Sequence, residues 1–328
     1  MNGTHFSGPL AAELTDFTAT LEASAVVNKT LLTKLRALDR FSQERALISG
    51  TLDEAFARAW LAPCKSRGPN TRIARYHLLR RFCRFLAKRR PQTFIPGETL
   101  LPRRRPAAQP HIYSRQEVRL LLDGALSLRD WAGRHRCPIR SRTMHAIILL
   151  LATAGLRISE ALHLTLKDVD LESGVLSIRQ SKFRKSRLVP LSKGTADMMR
   201  CYRQLRDAVA PIGTDEAFFV SGRRKAYGIG WVERMFRDIA IAAGLRGPTG
   251  RGPRLHDLRA TFAVTRLLQW YRDGDNVMNR LPLLSTYLGH ARVSDTELYL
   301  PITAALLEQA STRFHAFAQD VLPAGGAR

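Results

Sequence analysis

The 328-residue sequence is poor in acidic residues, with 28 Asp and Glu against 52 Lys and Arg, so its formal net charge is +24. The sequence pI is about 11.1. An enzyme of small metabolites has no need of such an excess, whereas a protein that binds a polyanion does. The charge therefore predicts a polyanionic partner, with nucleic acid as the first candidate and an anionic membrane surface as the alternative.

Long hydrophobic runs and paired cysteines are also scarce. The longest apolar run, Ala146 to Ala154, is far shorter than the ~20 residues of a membrane-spanning helix. Residues 1–17 lack the basic and apolar segments of a signal peptide. None of the four cysteines is in C-x-x-C spacing, which favours reduced thiols over a disulfide framework or a zinc site. These absences predict a cytoplasmic protein with no membrane association.

The positive charge is concentrated in residues 63–110, which hold thirteen basic residues and one acid, Glu98. Within them, residues 71–90 carry eight basic residues and no acid, and their apolar residues recur at helical spacing. A solvated surface helix is one interpretation, but the lack of acidic partners favours a helix that follows a phosphate backbone. The residues predicted to bind DNA, here and in the segment that follows, are Arg72, Arg75, Arg80, Arg81, Arg84, Lys88, Arg103, Arg104 and Arg105.

Changes of pattern along the chain predict two domains joined by a linker. The second domain begins at a capping box, Ser114-x-x-Glu117. Two β-rich segments, 174–180 and 187–191, predict a hairpin. The predicted fold class is therefore mainly α with a small antiparallel β-sheet (α+β). The predicted ranges are a flexible tail over 1–18, a helical domain over 19–90, a linker rich in proline and arginine over 91–111, a second domain over 112–318 and a tail over 319–328.

Three short motifs in the second domain combine side chains suited to phosphate chemistry. Two of them place a charged or titratable pair three residues apart, which is one helical turn. Taken singly, each has an ordinary explanation: a local salt bridge, a structural histidine or a core tyrosine. The motifs are Arg157-x-x-Glu160, His256-x-x-Arg259, and Leu288-Gly289-His290 followed nine residues later by Tyr299.

In this order, the motifs resemble those of the tyrosine recombinases, the phage-integrase-like family, over roughly residues 112–318. The resemblance implies a helical core-binding domain, a catalytic domain, and site-specific recombination of double-stranded DNA through a 3′-phosphotyrosine intermediate. The chain departs from the family pattern at Ala260, where many relatives have a second histidine, and in a longer stretch between Arg259 and His290. The implied catalytic residues are Arg157, Lys182, His256, Arg259, His290 and Tyr299, with Glu160 in a supporting role.

The residue types suit this chemistry. A tyrosine phenolate serves as nucleophile and as leaving group, so the covalent link can be reversed without ATP. Guanidinium groups bind phosphate oxygens bidentately, and histidines transfer protons near neutral pH. By resemblance, Lys182, with Lys185 as second choice, protonates the leaving 5′-oxygen. The sequence offers no carboxylate cluster for Mg²⁺, so neither a metal nor another cofactor is predicted.

The resemblance also implies assembly on DNA. Residues 303–317 have apolar residues at helical spacing and are expected to form a helix. By resemblance this helix is exchanged with a neighbouring protomer in a tetrameric synapse, while folding back on its own core is the alternative. The predicted role is integrase or transposase of a mobile element, associated with the nucleoid. A type IB topoisomerase-like enzyme and a catalytically inactive DNA-binding protein remain as alternatives.

Overall fold

A computed structural model describes most of the chain. The chain divides into two compact units, Met1–Ala108 and Gln109–Arg328. None of the helices in its described part is long and apolar enough to cross a membrane. The described residues are 5–23, 29–45, 52–62, 69–103, 109–128, 139–179, 186–209, 216–221, 225–245 and 252–302.

Helices surround an aromatic core in the first unit. Phe17 packs against Phe82 with ring centroids 5.3 Å apart, and Phe41 packs against Trp60 at 5.2 Å. Asp53 caps one of the helices by accepting a hydrogen bond from the backbone N–H of Phe56. The helices in the described part of this unit are α1 (Ala11–Ala23), α2 (Lys29–Glu44), α3 (Glu54–Leu61) and α4 (Pro69–Ala87).

The predicted flexible tail over residues 1–18 is wrong from residue 11 onward, because helix α1 occupies this part of the chain. Leu10, Leu14, Phe17 and Leu21 recur every three or four residues and are buried in the core of the first unit. The apolar side of the helix supplies its stability through burial, and the spacing of its apolar residues is a helical pattern that is present in the sequence.

The predicted linker over residues 91–111 is partly packed on the first unit. The backbone N–H of Phe94 donates to the carbonyl of Leu52 at 2.9 Å. The hydroxyl of Tyr76 donates to the carbonyl of Gly97 at 3.0 Å, and a 3₁₀ turn follows at Glu98–Leu100. The first part of this segment is therefore fixed by hydrogen bonds to its backbone despite its prolines.

Helix α6 (Arg140–Ala154) lies at the centre of the second unit, where it packs against α5 (Arg115–Leu126), α8 (Lys193–Val209) and α10 (Asp257–Arg272). Its residues between Met144 and Ala154 are mostly buried. The predicted capping box is present at the start of α5, with Ser114 and Glu117 bonded reciprocally. The other described helices of this unit are α7 (Ile158–Leu162), α9 (Ile229–Ala242), α11 (Val277–Leu288) and α12 (Ser294–Glu297).

A small antiparallel sheet of order β1-β2-β3 completes the second unit. Strand β2 (Val175–Ile178) pairs with β3 (Arg187–Pro190) so that Leu176 faces Val189, and both side chains are buried. The sequence predicts these two strands but not β1 (Val169–Asp170), which has two residues and so carries no alternation. The fold is mainly α-helical with this sheet, as the sequence predicts.

Candidate active site

Three arginines meet at the carboxyl end of helix α11. They come from the start of α7, the first residue of β3 and the first turn of α10, and we refer to them together as the arginine cluster. Each donates a hydrogen bond to a different one of three successive backbone carbonyls: Arg187 to Tyr287 at 2.7 Å, Arg259 to Leu288 at 2.7 Å and Arg157 to Gly289 at 2.9 Å.

The end of α11 attracts cations because its last carbonyls lack partners within the helix and carry the negative end of the helix dipole. Gly289 ends the helix in the left-handed conformation, with φ of 68°. A Cβ atom at this position would lie 2.7 Å from Nη1 of Arg187, so glycine is also needed for the close approach of that guanidinium. The turn places His290 directly after the carbonyls that hold the cluster.

Arg157 is held at the start of α7 by Glu160. The carboxylate accepts from Nη1 of Arg157 at 2.7 Å and from its backbone N–H at 3.0 Å. The local salt bridge that the spacing of Arg157 and Glu160 suggests is therefore present. The side chain of Arg157 remains 20% exposed, and its guanidinium has further N–H groups available to an incoming anion.

Arg259 is almost fully buried at 1% exposure. Its Nη1 donates to the carbonyl of Gly155 at 2.7 Å, so it joins the end of α6 to the end of α11. Burial, followed by the positive charge of Arg157, lowers the pKa of Arg259 to about 10. The group remains charged at neutral pH, and together with the charge of Arg157 it makes the site attractive to anions.

His290 and Tyr299 stack beside the arginine cluster. Their ring centroids are 6.2 Å apart, and Nδ1 of His290 lies 2.8 Å from Oγ1 of the buried Thr296. Burial and then the positive charges of Arg259 and Arg157 lower the pKa of His290 to about 4. The imidazole is therefore neutral at pH 7 in the free protein, and its Nε2 remains for contacts outside the Thr296 pair.

His256 immediately precedes helix α10, one turn before Arg259. Burial of its ring, followed by the positive charge of Arg259, lowers the pKa of His256 below the usual value. The charge of Arg157 also acts on it. The structure thus brings together His256, Arg157, Arg259, His290 and Tyr299, with Glu160 between two of the arginines.

Arg187 is a member of the cluster that the sequence motifs do not single out. Its Nη1 and Nη2 donate to both carboxylate oxygens of Glu160, at 3.1 and 2.8 Å. Burial alone raises the pKa of Glu160, but the hydrogen bonds from Arg187 and Arg157 outweigh it and bring the pKa to about 2. The only sequence signal is a basic residue at the start of a predicted strand, which occurs in many proteins.

Several predicted positions fall outside the described residues, and Tyr287, the tyrosine nearest to Tyr299 in the sequence, is poorly suited to act as an alternative nucleophile. Lys182, Lys185, Arg104 and Arg105 lie outside the described ranges. Tyr287 stacks on Phe262 with ring centroids 5.4 Å apart, and burial raises its pKa. Its phenolate is therefore harder to form. No group of three or more His, Cys, Asp or Glu in the described part of the chain is arranged to hold a metal ion.

Helix α4 of the first unit separates its basic side chains into buried and exposed groups. Arg75 is 7% exposed and stacks on Trp60 at 3.4 Å, so the prediction that it faces DNA is wrong: the cation is used in the core. Arg72 donates to the carbonyl of Leu61 at 3.0 Å, and Arg80 donates to that of Pro96. The exposed predicted residues are Arg81 and Arg84 in the helix and, beyond it, Lys88 and Arg103.

Comparison with known proteins supports a family assignment. The model of the phage integrase family matches residues 118–305, a range that contains the whole arginine cluster and Tyr299. A putative integrase/recombinase of Sinorhizobium fredii, y4rB, is 38% identical over 259 residues, which cover 78% of this chain and 82% of that protein. The tyrosine recombinase XerA of Thermococcus kodakarensis is 30% identical over 218 residues, 66% of this chain and 67% of that protein.

A solved structure agrees at the level of the fold. The integrase of transposon Tn1549, determined with a circular intermediate DNA, has a TM-score of 0.63 and 15% identity. The match covers 93% of this chain and 99% of that one. Together with the family match over 118–305, these likenesses assign the protein: the chain belongs to the phage integrase family of tyrosine recombinases.

Proposed function

We propose that this protein recombines double-stranded DNA at specific sites by cleaving and rejoining strands through a 3′-phosphotyrosine at Tyr299. The observation that carries the proposal is the convergence of Arg157 and Arg259 on successive carbonyls directly before His290, whose ring stacks on Tyr299. This arrangement joins an anion-binding field to a nucleophile of the right type. Family membership points to the same reaction.

In the proposed site, Arg157 and Arg259 bind the non-bridging oxygens of the scissile phosphate. Their contacts with protein carbonyls fix the planes of both guanidinium groups before DNA arrives. Fixed positive charge aimed at a phosphorane is worth on the order of 3–4 kcal/mol per donor, because no reorganisation is needed during the reaction. On this proposal the arginines supply the stabilisation of charge, without a metal ion or other cofactor.

The covalent step exchanges one phosphate ester for another. The phenolic oxygen of Tyr299 bonds to phosphorus as the bond from phosphorus to the 5′-oxygen breaks. The phenol gives its proton to a base, and the departing oxygen takes up a proton to become a 5′-hydroxyl. By family resemblance, Lys182 supplies that second proton. Attack by a 5′-hydroxyl of another strand reverses the step and rejoins the DNA, so the bond energy is conserved.

The two histidines suit proton transfer in this step. His290 is neutral in the free site because burial and two nearby arginines hold its pKa at about 4. A bound phosphate offsets the arginine charges, so the pKa of His290 rises toward its ordinary range. His256 experiences the same arginine charges. DNA binding therefore prepares both imidazoles to accept or share a proton near neutral pH.

The experiment that tests the proposal is capture of the covalent adduct. Wild-type protein is mixed with nicked duplexes tiled across both flanks of its gene, so that the short 5′-hydroxyl strand diffuses away after cleavage. We expect a DNA-linked band on denaturing gels with wild type, and its loss in Tyr299→Phe with unchanged affinity in gel shifts. Removing the phenolic oxygen removes the nucleophile but no phosphate-binding group.

Two further tyrosine variants complete the test. Tyr271→Phe, at the last turn of α10, is the matched control and should keep the adduct. Tyr287→Phe examines the alternative nucleophile. An adduct that persists in Tyr299→Phe and disappears in Tyr287→Phe would assign the reaction to Tyr287 and contradict the proposal.

The biological role that we propose is integrase or transposase of a mobile element. The relative at 38% identity is named as a putative integrase/recombinase, and the transposon integrase with the same fold was solved with a circular intermediate DNA. We further propose that the enzyme works as an oligomer on DNA, in which the predicted helix over residues 303–317 passes between protomers. Sequencing the flanks of the gene for inverted repeats tests the role.

A further inference from the structure

The arginine cluster contains one more cation than a two-arginine phosphate clamp requires. Arg187 is 10% exposed, and its known contacts are with Glu160, the carbonyl of Tyr287 and the Gly289 turn. It therefore faces the interior of the site, underneath the groups that bind DNA in the proposed function. A buried cation in this position needs an explanation, because desolvation of a charge is costly unless the charge is used.

The charges around Glu160 supply that explanation. Glu160 is 4% exposed and accepts from Arg157 through Oε1 and from Arg187 through both oxygens. With Arg157, Arg187 and Arg259 positive and Glu160 negative, the group has a net charge of two. Without Arg187, the group of Arg157, Arg259 and Glu160 would have a net charge of one. Arg157 would then be the remaining arginine partner of Glu160. A phosphate would then compete with Glu160 for Arg157.

We infer that Arg187 is a positioning residue that binds Glu160 and the Gly289 turn, and thereby keeps Arg157 available to the scissile phosphate and His290 in place. The inference rests on the proposed strand-cleavage function of the same site. Arg187 touches neither the phosphate nor Tyr299 in this scheme. It acts through the carboxylate and through the carbonyl end of α11.

The first variant removes the charge and keeps most of the side-chain length. In single-turnover cleavage of a nicked duplex, Arg187→Met should form the Tyr299 adduct about 100-fold more slowly, the lower end of the loss seen when a direct donor is removed. Its affinity for DNA should be nearly unchanged, because basic side chains elsewhere supply most of that affinity. The loss therefore falls on the chemical step.

A double variant distinguishes a role of Arg187 in charge balance from a purely structural role. In Arg187→Met/Glu160→Gln, the excess negative charge is removed together with Arg187, and the net charge of the group returns to two. We expect this double variant to cleave at least tenfold faster than Arg187→Met, since a neutral amide competes weakly with phosphate for Arg157. A purely structural role predicts the opposite, because the double variant removes more hydrogen bonds.

Two additional variants control for charge and folding. Arg187→Lys retains the positive charge but loses the fork, so it should fold and cleave at a rate between wild type and Arg187→Met. Arg200→Met is the matched control, because Arg200 also donates to a carboxylate and a backbone carbonyl, those of Asp197 and Leu171, outside the site. It should cleave like wild type.

The outcomes distinguish the two proposals. If wild type forms no Tyr299 adduct, the proposed function fails. If wild type forms the adduct and Arg187→Met does so equally fast, the positioning role of Arg187 fails and the function stands. The charge-balance argument would be overturned if the double variant cleaves no faster than Arg187→Met while circular dichroism shows that both variants are folded. Should Arg187→Met not fold, a rate for Arg187→Lys equal to wild type would overturn the positioning role, because this variant keeps the charge and loses the paired contacts with Glu160.

Discussion

Glu160 controls stability as well as the charge of the site. Its pKa of about 2 lies below the ordinary value of 4.5, so the folded state favours the carboxylate. A depressed acid pKa adds stability that is fully present above the unfolded pKa and is lost as the pH falls toward the folded value. The contribution should therefore disappear between about pH 4.5 and pH 2.

Glu160→Gln tests this contribution. We expect the free energy of unfolding to fall by ~2–4 kcal/mol at pH 7, because the two arginines lose their anion. The difference from wild type should shrink as the pH decreases below 4.5. Urea denaturation of both proteins across this pH range measures it.

The control for Glu160→Gln is another carboxylate–arginine pair three residues apart. Asp197 and Arg200 form an ion pair with side chains 51% and 43% exposed. Asp197→Asn should cost less than ~1 kcal/mol, since exposed pairs are screened by water. An equal loss in the two variants, or a loss in Glu160→Gln that is independent of pH, would show that burial of Glu160 does not set its contribution.

At the residue scale, the sequence identifies side chains whose neighbours are close in the chain or fixed by a motif. The Arg157–Glu160 pair follows from a spacing of three, and the structure contains it. Arg187 and Glu160 are 27 residues apart in the sequence, and Arg187 and Tyr287 are 100 residues apart, yet both pairs are hydrogen-bonded. Such long-range contacts depend on the packing of β3 against the end of α11, which local spacing does not encode.

At the element scale, the end of helix α4 presents a basic surface made of Arg81 and Arg84 in its last turns and Lys88 in the turn directly after it. Arg81 and Arg84 are three residues apart and so lie on one side of the helix, and all three side chains are exposed. Arg75, on another side, is used in the core against Trp60. The helix therefore packs into the core on one face and exposes basic side chains on another, and only the exposed face is predicted to contact phosphate.

Charge reversal of the exposed face of α4 tests this division. Replacing Arg81, Arg84 and Lys88 together by Glu should weaken non-specific DNA binding and reduce the slope of log affinity against log salt by about 0.9 for each lost contact. Fluorescence anisotropy over a salt series measures both quantities. Because the three side chains are exposed, folding should be unaffected.

A second triple variant controls for total charge. Arg36, Arg40 and Arg58 are also exposed basic residues of the first unit, on helices α2 and α3. Replacing them by Glu changes the net charge by the same amount. If both triple variants reduce the salt slope equally, the effect is one of overall charge and the assignment to α4 is wrong.

The same helix shows how far a pattern predicts an element. Basic residues without acids, at helical spacing, predict α4, but they do not separate Arg75 from its neighbours, since its burial depends on the position of Trp60 in α3. The helical spacing of Leu14, Phe17 and Leu21 is also present in the sequence, but spacing alone does not show that α1 packs into the core of the first unit. The α5 capping box, by contrast, is local and is predicted directly.

For the whole molecule, we propose that the segment after Tyr299 links cleavage to assembly. Tyr299 and Leu300 pack against the cluster formed by α10 and α11, and a 3₁₀ turn ends at Ile302. The predicted helix over residues 303–317 begins directly afterwards and lies outside the described residues. A partner that binds this segment would therefore act on the position of Tyr299. If the partner binds more tightly when Tyr299 is in one of two positions, assembly is coupled to activity.

Truncation after Ile302 should keep binding to a single DNA site, lower synapsis of two sites and abolish strand exchange. The expected reason is loss of an apolar surface that protomers share. Gel shift and light scattering, each with one duplex site and with two, measure binding and synapsis, and product formation measures exchange. If the truncated protein still forms full synapses and recombines, the segment is not shared between protomers.

Point variants in the full-length chain refine this test, because truncation removes all contacts of the segment at once. Leu307 and Phe314 lie on the predicted apolar side of the helix, and Gln309 and Thr312 lie on the other side. Replacing the first pair by Asp should reproduce the truncation, while replacing the second pair by Asp should leave synapsis intact at the same added charge. A helix that only covers its own core predicts a different result: the Leu307 and Phe314 variants would then lower the unfolding free energy of the monomer and its single-site cleavage, before any second DNA site is present.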